Sequence, residues 1–474
     1  MRNILNLNFR WSFSKQAEAV PAEMPTMWDV ISLPHSWNAV DGQDGGNDYY
    51  RGTAYYAKSF HKMDIPEAKK YFLEIRGANS SATVYLNGQE LATHHGGYST
   101  WRVDLTEAMS DMDNLLVIAV NNEENDFVYP QMADFTFYGG LYRDVNLICL
   151  DESHFDVEFW GSNGIKVTPV VEGKNAKVEF EAFVKNMKEG QQIRYAVKDA
   201  EGKTVAAVTT EDTNVTLEVA DVHLWHGRKD PYMYEATAEL IEDETVIDNV
   251  FAPIGFRTFE IDPERGFILN GEEYMLRGVS RHQDKWGKGN ALTPEDHELD
   301  MELIYALLPE HHKEDIDLIL ECGFTTIRLA HYQHDQYFYD LCDKYGMVVW
   351  AEIPYISKHM PTGRENTITQ MKELVAQNYH HPSIVVWGLS NEIGIGGSDE
   401  DLLENHHILN DLCHEMDKTR KTVVAAVSPC DINDPYLQIP DVVSYNHYFG
   451  WYGGETDMNG PWFDKFHERW PNIP

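Results

Sequence analysis

The sequence predicts a multidomain protein. A β jelly-roll sandwich is expected over 1–150, an immunoglobulin-like β-sandwich over 151–260, and an incomplete (β/α)8 TIM barrel with about six strands over 261–474. Three observations carry this reading. Short apolar strands separated by Asn and Gly turns fill the first half. After Ile261 strand-like and helix-like segments alternate. Polar or aromatic residues then gather at one end of strand after strand, the mark of an active-site face.

The 474 residues suffice for roughly three domains. With 43% hydrophobic residues, 25 Tyr and 12 Trp there is ample material for large cores. Lys and Arg number 38 against 77 Asp and Glu, a net charge of −39, which repels nucleic acid and anionic membranes. No apolar run approaches the roughly 18 residues of a membrane span. The start, Met1 to Arg10, has no hydrophobic core segment, so no signal peptide is expected. Five cysteines, odd in number and without a CxxC pair, suit a reducing cytoplasm and argue against a zinc site or a disulfide framework.

In the first domain Ala82–Leu91 reads as strand, Asn87-Gly88 turn, strand, and Leu115–Val120 as a buried strand. Its last feature, Asp134 to Asp144, is aromatic and Gly-rich: a loop reaching into a sugar site, or an aromatic core edge. In the second domain Val178, Phe180, Ala182 and Val184 alternate with other side chains, and Glu201-Gly202-Lys203 marks a hairpin. It carries no catalytic constellation and reads as a spacer.

The barrel strands are expected at 274–279, 325–329, 347–351, 384–389, 422–427 and 442–444, with helices at 335–344, 367–378, 399–418 and 461–470. The most informative stretch is Ser383 to Glu392. Ile384–Trp387 reads as a strand buried on both faces, and Asn391-Glu392 sits at its carboxyl end. Glu392 could protonate a leaving group there, or the pair could simply cap the next turn. Within the first helical connection, 294–304 recurs at 309–319, with Pro309 predicting helix, break, helix. The bland reading is a tolerated duplication or an assembly error. A metal site from His297, His311 and His312 is poorly motivated.

Several stretches resemble family 2 glycoside hydrolases, the β-galactosidase and β-glucuronidase group. The most specific are Ile327-Arg328-Leu329-Ala330-His331-Tyr332, Cys342-Asp343-Lys344-Tyr345-Gly346, and His381 through Glu392. Leu33 to Asn38, Gly140 to Val145 and Arg277 to His282 add support, so the likeness covers essentially the whole chain. The resemblance implies a retaining β-glycosidase acting on a small β-glycoside, foremost a β-galactosidase, and a homo-oligomer at full length. It casts Glu392 as the acid/base and Tyr448 as a hydrogen-bond donor to the nucleophile. Asn391 would hold the sugar 2-hydroxyl, with Asn446 and His447 beside Tyr448. His282, Arg328 and His331 would line the pocket, Trp387 would support its floor, and Asp134 would reach across from the first domain. Packing roles stay open for each except Glu392, and Arg328 could mainly orient buried carboxylates.

Two positions depart from the family: Gln333 stands where it has proline, and Ile356 where β-galactosidases place a magnesium-binding Glu. No metal site is therefore assigned, although Mg2+ or Na+ is a family property; His359 lies nearby without a partner. The family's nucleophile, a Glu on the seventh strand, is also missing. The span 261–474 is shorter than the roughly 250 residues of a full barrel. The expectation is thus a chain cut before its nucleophile, inactive alone, and prone to self-association through an open sheet edge. Three alternatives remain: a β-glucuronidase, a non-catalytic carbohydrate-binding protein using the jelly roll, or catalysis within this chain with Glu352 as second carboxylate.

Overall fold

The computed structural model describes residues 1–43, 48–305 and 323–474. In the first unit a six-stranded antiparallel sheet faces a four-stranded one. Between them lie Trp11, Tyr56, Leu73, Val84, Ile118 and Leu147, all fully or almost fully buried. The expected hairpin joins Ser81–Leu86 to Gln89–His95. Asn87 and Gly88 turn it at φ 54° and 82°, the paired positive values that match strand twist.

The second unit packs sheets of three and four antiparallel strands around Phe155, Val178, Tyr195 and Ala238. Glu201-Gly202-Lys203 does connect Gln192–Lys198 to Thr204–Thr210.

The third unit is a curled half-barrel of six parallel strands, arranged in chain order. They are Gly278–Arg281, Thr326–Leu329, Val348–Glu352, Ile384–Asn391, Lys421–Val427 and Val442–Asn446. Helices Gln336–Tyr345, Arg364–Asn378, Glu400–Met416 and Asn459–Arg469 follow strands two, three, four and six. Asp335 caps the first of these by accepting from Tyr337 N, and Gly346 ends it at φ 71°.

The first strand starts later than the sequence suggested. Tyr274 instead turns beneath the barrel, packing with Phe267 and Trp225, and its hydroxyl accepts from Arg228 N at 3.0 Å. Gly278 can begin the strand because a Cβ there would lie 1.9 Å from the Thr326 carbonyl oxygen. The hairpin Phe259–Asp262 with Gly266–Leu269 closes the barrel floor, setting Phe267 and Leu269 against Val348, Val385, Val386 and Val423. On the outermost strand, Val443 N donates to Pro474 O at 3.0 Å.

The first copy of the repeat falls in helix Pro294–Tyr305. The second copy, with Pro309, His311 and His312, lies outside the described residues. His297 is buried, and its Nδ1 accepts from Arg281 at 3.2 Å.

One face of helix Arg364–Asn378 ties the first unit to the barrel. Asn366 and Gln370 bond the Tyr129 backbone, Glu373 accepts from Ser99 and meets His94 at 2.7 Å, and Gln377 bonds Thr100. These positions recur every three or four residues, which puts them on a single helix face. From the other side Arg143, nearly fully buried, donates to the Gln333 carbonyl oxygen at 2.8 Å. The two anchors hold the Asp134–Tyr138 loop over the barrel.

Candidate active site

The parallel strands deliver their carboxyl ends to one face, and pleating decides which side chains enter it. Arg328 from the second strand, Glu352 from the third, Asn391 and Glu392 from the fourth, and Asn446 from the sixth converge there.

Glu352 is 1% exposed. Arg328 donates to it through both Nε and Nη2 at 3.0 Å, the paired geometry of a guanidinium on a carboxylate. His331 Nδ1 lies 2.6 Å from the same carboxylate and 3.4 Å from Arg328 Nη2. Arg328 can only donate, so the shorter contact fixes Nδ1 as protonated and donating to Glu352, leaving Nε2 without a hydrogen bond among the described residues. Burial pushes the Glu352 carboxyl up, but the Arg328 charge and the His331 hydrogen bond outweigh it and hold it below the usual range. Trp350 lies under Arg328, with the guanidinium 4.4 Å from its ring centre.

Glu392 owes its aim to the backbone. The fourth strand slips register against the fifth between Gly388 and Ser390. Glu392 itself sits at φ 50°, a left-handed conformation uncommon outside glycine. Its N–H donates to Ala425 O at 2.7 Å, and its carboxylate Oε1 accepts from Asn446 Nδ2 at 2.9 Å. Strained backbone of this kind concentrates at functional sites.

The Asp134 loop crosses from the first unit, and it is also a core edge, because Phe137, Tyr138 and Gly139 are buried there. Asp134 is exposed, and its charge is felt at both His282 and Tyr448. Phe135 packs on His282 at 5.1 Å, Tyr332 at 5.4 Å and His331 at 6.1 Å between ring centres. Burial and then the neighbouring His331 lower the His282 pKa. Tyr448 is 48% exposed, and burial followed by the Glu392 charge raises its pKa. The structure thus brings Asp134, His282, Arg328, His331, Glu352, Asn391, Glu392, Asn446 and Tyr448 together.

Two expected site residues are elsewhere. Trp387 does not support the site floor: it is fully buried among the helices, with its indole N–H donating to Asp417 at 2.9 Å. His447 follows the sixth strand, which ends at Asn446, and its ring turns into an aromatic cluster. Its ring stacks on Tyr445 at 5.2 Å and meets Trp462 at 4.2 Å, while Nδ1 contacts Ser428 Oγ at 2.8 Å. Phe135 and Trp350 were not singled out from sequence. For Phe135 a signal existed, as it directly follows Asp134 in a loop already suspected of reaching the site.

The residues at the family's magnesium position do not fit that ion. Ile356 is buried and has no donor atom, and both ring nitrogens of His359 are engaged, by Tyr355 at 2.7 Å and Asp401 at 2.6 Å.

Sequence comparison matches residues 260–473 to the TIM barrel domain of glycosyl hydrolases family 2, 163–257 to a second model described as glycosyl hydrolases family 2, and 46–129 to the glycosyl hydrolase 2 galactose-binding domain-like model. A β-glucuronidase of Bacteroides fragilis is 34% identical over 99% of this chain and 67% of its own length. A β-galactosidase of Thermoanaerobacter pseudethanolicus is 26% identical over 89% of this chain and 55% of its own length. The crystal structure of an FMN-binding β-glucuronidase from Facaelibacterium prausnitzii L2-6 superposes with a TM-score of 0.91 at 43% identity, covering 100% of this chain and 71% of that one.

Proposed function

The chain belongs to glycosyl hydrolase family 2, and on that premise we propose that it forms the sugar pocket and acid/base side of a retaining β-glycosidase acting on β-D-glucuronides. The observation that carries the chemistry is Glu392. It stands at a strand end, held in a left-handed conformation, with one oxygen fixed by Asn446. In this role it protonates the glycosidic oxygen and then activates water. Asn391 meets the sugar 2-hydroxyl, His331 Nε2, His282 and Asp134 meet other hydroxyls, and Tyr448 flanks the reacting centre.

The second carboxylate of a retaining enzyme stands about 5–5.5 Å from the first and must be free to attack. Glu352 is not free, because Arg328 and His331 occupy both of its oxygens. We assign it the anchoring of Arg328. The attacking role is therefore not assigned to Glu352.

Glucuronides are preferred to galactosides because a β-glucuronidase at 34% identity aligns over 99% of the chain, against 26% over 89% for the Thermoanaerobacter pseudethanolicus β-galactosidase. The test is hydrolysis of nitrophenyl β-D-glucuronide against nitrophenyl β-D-galactoside by the purified protein. At least tenfold higher kcat/KM for the glucuronide is expected, and Glu392→Gln should lower turnover about 10²–10⁴-fold. Equal or reversed preference overturns the substrate, and unchanged turnover in the variant overturns the role of Glu392.

A further inference from the structure

We propose that the edge strand Thr204–Thr210 of the second unit is an interaction surface for a second copy of this chain. Two copies pair there antiparallel, about a two-fold axis through Ala207. The inference is independent of the catalytic reading.

The strand is the outermost of its four-stranded sheet and pairs, among the described residues, only with Gln192–Lys198. Its other side therefore presents backbone N–H and C=O groups without ladder partners, a template for a further strand. Proteins blunt such edges with short strands, charged side chains or proline. The other outer strands of the two sandwiches are protected in this way. Each is four residues or shorter, carries a charged residue, or contains a proline. Thr204–Thr210 has none of these over its seven residues, and Thr204, Val205, Ala207, Val208 and Thr209 are exposed. A register shift bends it at Val205, but Ala206–Thr210 runs in step with Ile193–Val197.

The charges at its two ends select a second copy as the occupant. Lys203 precedes the strand and Glu211 follows it, both exposed. Along a strand the N–H and C=O groups point alternately to its two sides, so residues opposed across a ladder must turn theirs toward each other. Two identical strands can thus oppose only positions an even number apart, and the axis passes through a residue. With the axis at Ala207, Ala206 faces Val208, Val205 faces Thr209, Thr204 faces Thr210, and Lys203 faces Glu211 of the second copy. Symmetry makes this two Lys–Glu pairs, one at each end. Moving the axis to Ala206 sets Glu201 against Glu211, and moving it to Val208 sets Glu211 against Val205. Of these registers only the one on Ala207 matches opposite charges. On a chain of net charge −39, an uncharged strand closed by ion pairs lets two copies meet with little repulsion. One pair of seven-residue strands is smaller than the roughly 1,200–2,000 Å² of a stable interface, so the dimer is reversible and depends on concentration.

The experiment is sedimentation equilibrium of the purified chain from low to high micromolar concentration, where the average mass should climb toward that of two chains. Lys203→Glu and Glu211→Lys each replace two ion pairs by two like-charge contacts, and each should weaken dimerisation about tenfold. The double variant Lys203→Glu/Glu211→Lys should dimerise as the parent does. So should an equimolar mixture of the two single variants, since each copy then supplies the charge the other lacks. Circular dichroism checks that every variant is folded. A parent that stays monomeric throughout overturns the proposal. So does a dimer indifferent to either single reversal, which would place the contact on another surface, or a double variant no stronger than the singles.

Discussion

Arg328 and Glu352 meet edge to edge inside the barrel, with two parallel N–H···O contacts of 3.0 Å and a carboxylate 1% exposed. The contacts of the guanidinium to Asn391 and Asn446 are placed by this pair. Glu352→Gln removes the charge that balances Arg328 and one of its two acceptors. The expected loss is about 2–4 kcal/mol in urea unfolding. Sugar affinity should fall as well, because Asn391 loses its reference. A variant as stable as the parent would show that Glu352 does not anchor the site.

Gly388 lies directly beneath that pair. A Cβ built on it would fall 2.4 Å from Glu352 Cβ and 2.6 Å from Trp350 Nε1. Gly388→Ala should therefore cost about 1–3 kcal/mol in chemical denaturation, through displacement of neighbours with little freedom to move. Gly453→Ala, where nothing lies within 4 Å, is the matched control and should be close to neutral.

Phe135 covers the ring of His282 at 5.1 Å. Burial is the first cause of the lowered His282 pKa, so Phe135→Ala should let water reach the imidazole and raise it toward 6.5. Proton NMR of the histidine Cε1–H across pH 4–8 reads this directly. An unmoved midpoint would mean that Phe135 does not shield the site.

His406 supports the fourth strand from behind, with Nε2 2.8 Å from Ser390 Oγ and Nδ1 2.9 Å from Leu402 O. Burial lowers its pKa from 6.5 to about 4. The unfolded chain therefore takes up a proton near pH 6.5 that the folded chain refuses until about pH 4. Stability from this group is present above pH 6.5 and is lost as pH falls through that window, by up to about 3 kcal/mol. Urea midpoints measured from pH 7.5 down to 4.5 should decline, and His406→Gln should flatten the slope.

Much of this was legible in the order of residues. The Asn-Gly hairpin and the change to alternating strands and helices after Ile261 are local patterns, and local patterns survive without a tertiary context. The four-residue apolar run before Asn391-Glu392 gave the strand, and its end gave the acid/base candidate. Trp387 and His447 lie away from the site because the side of a strand, or of the loop just beyond it, that faces the mouth depends on how the sheet curls.

By itself the sequence determined the family of the chain, five of the six strands of the half-barrel and the presence of Glu392 at the end of the fourth, because these follow from periodicity and from motifs of adjacent residues. Only the tertiary structure decided that Glu352 is clamped by Arg328, that Phe135 shields His282 from another domain, and that Asn446 turns its amide toward Glu392. Hydrogen-bond direction and burial depend on groups a hundred or more positions apart, and these come into contact only when the sheet curls and the first domain docks on it.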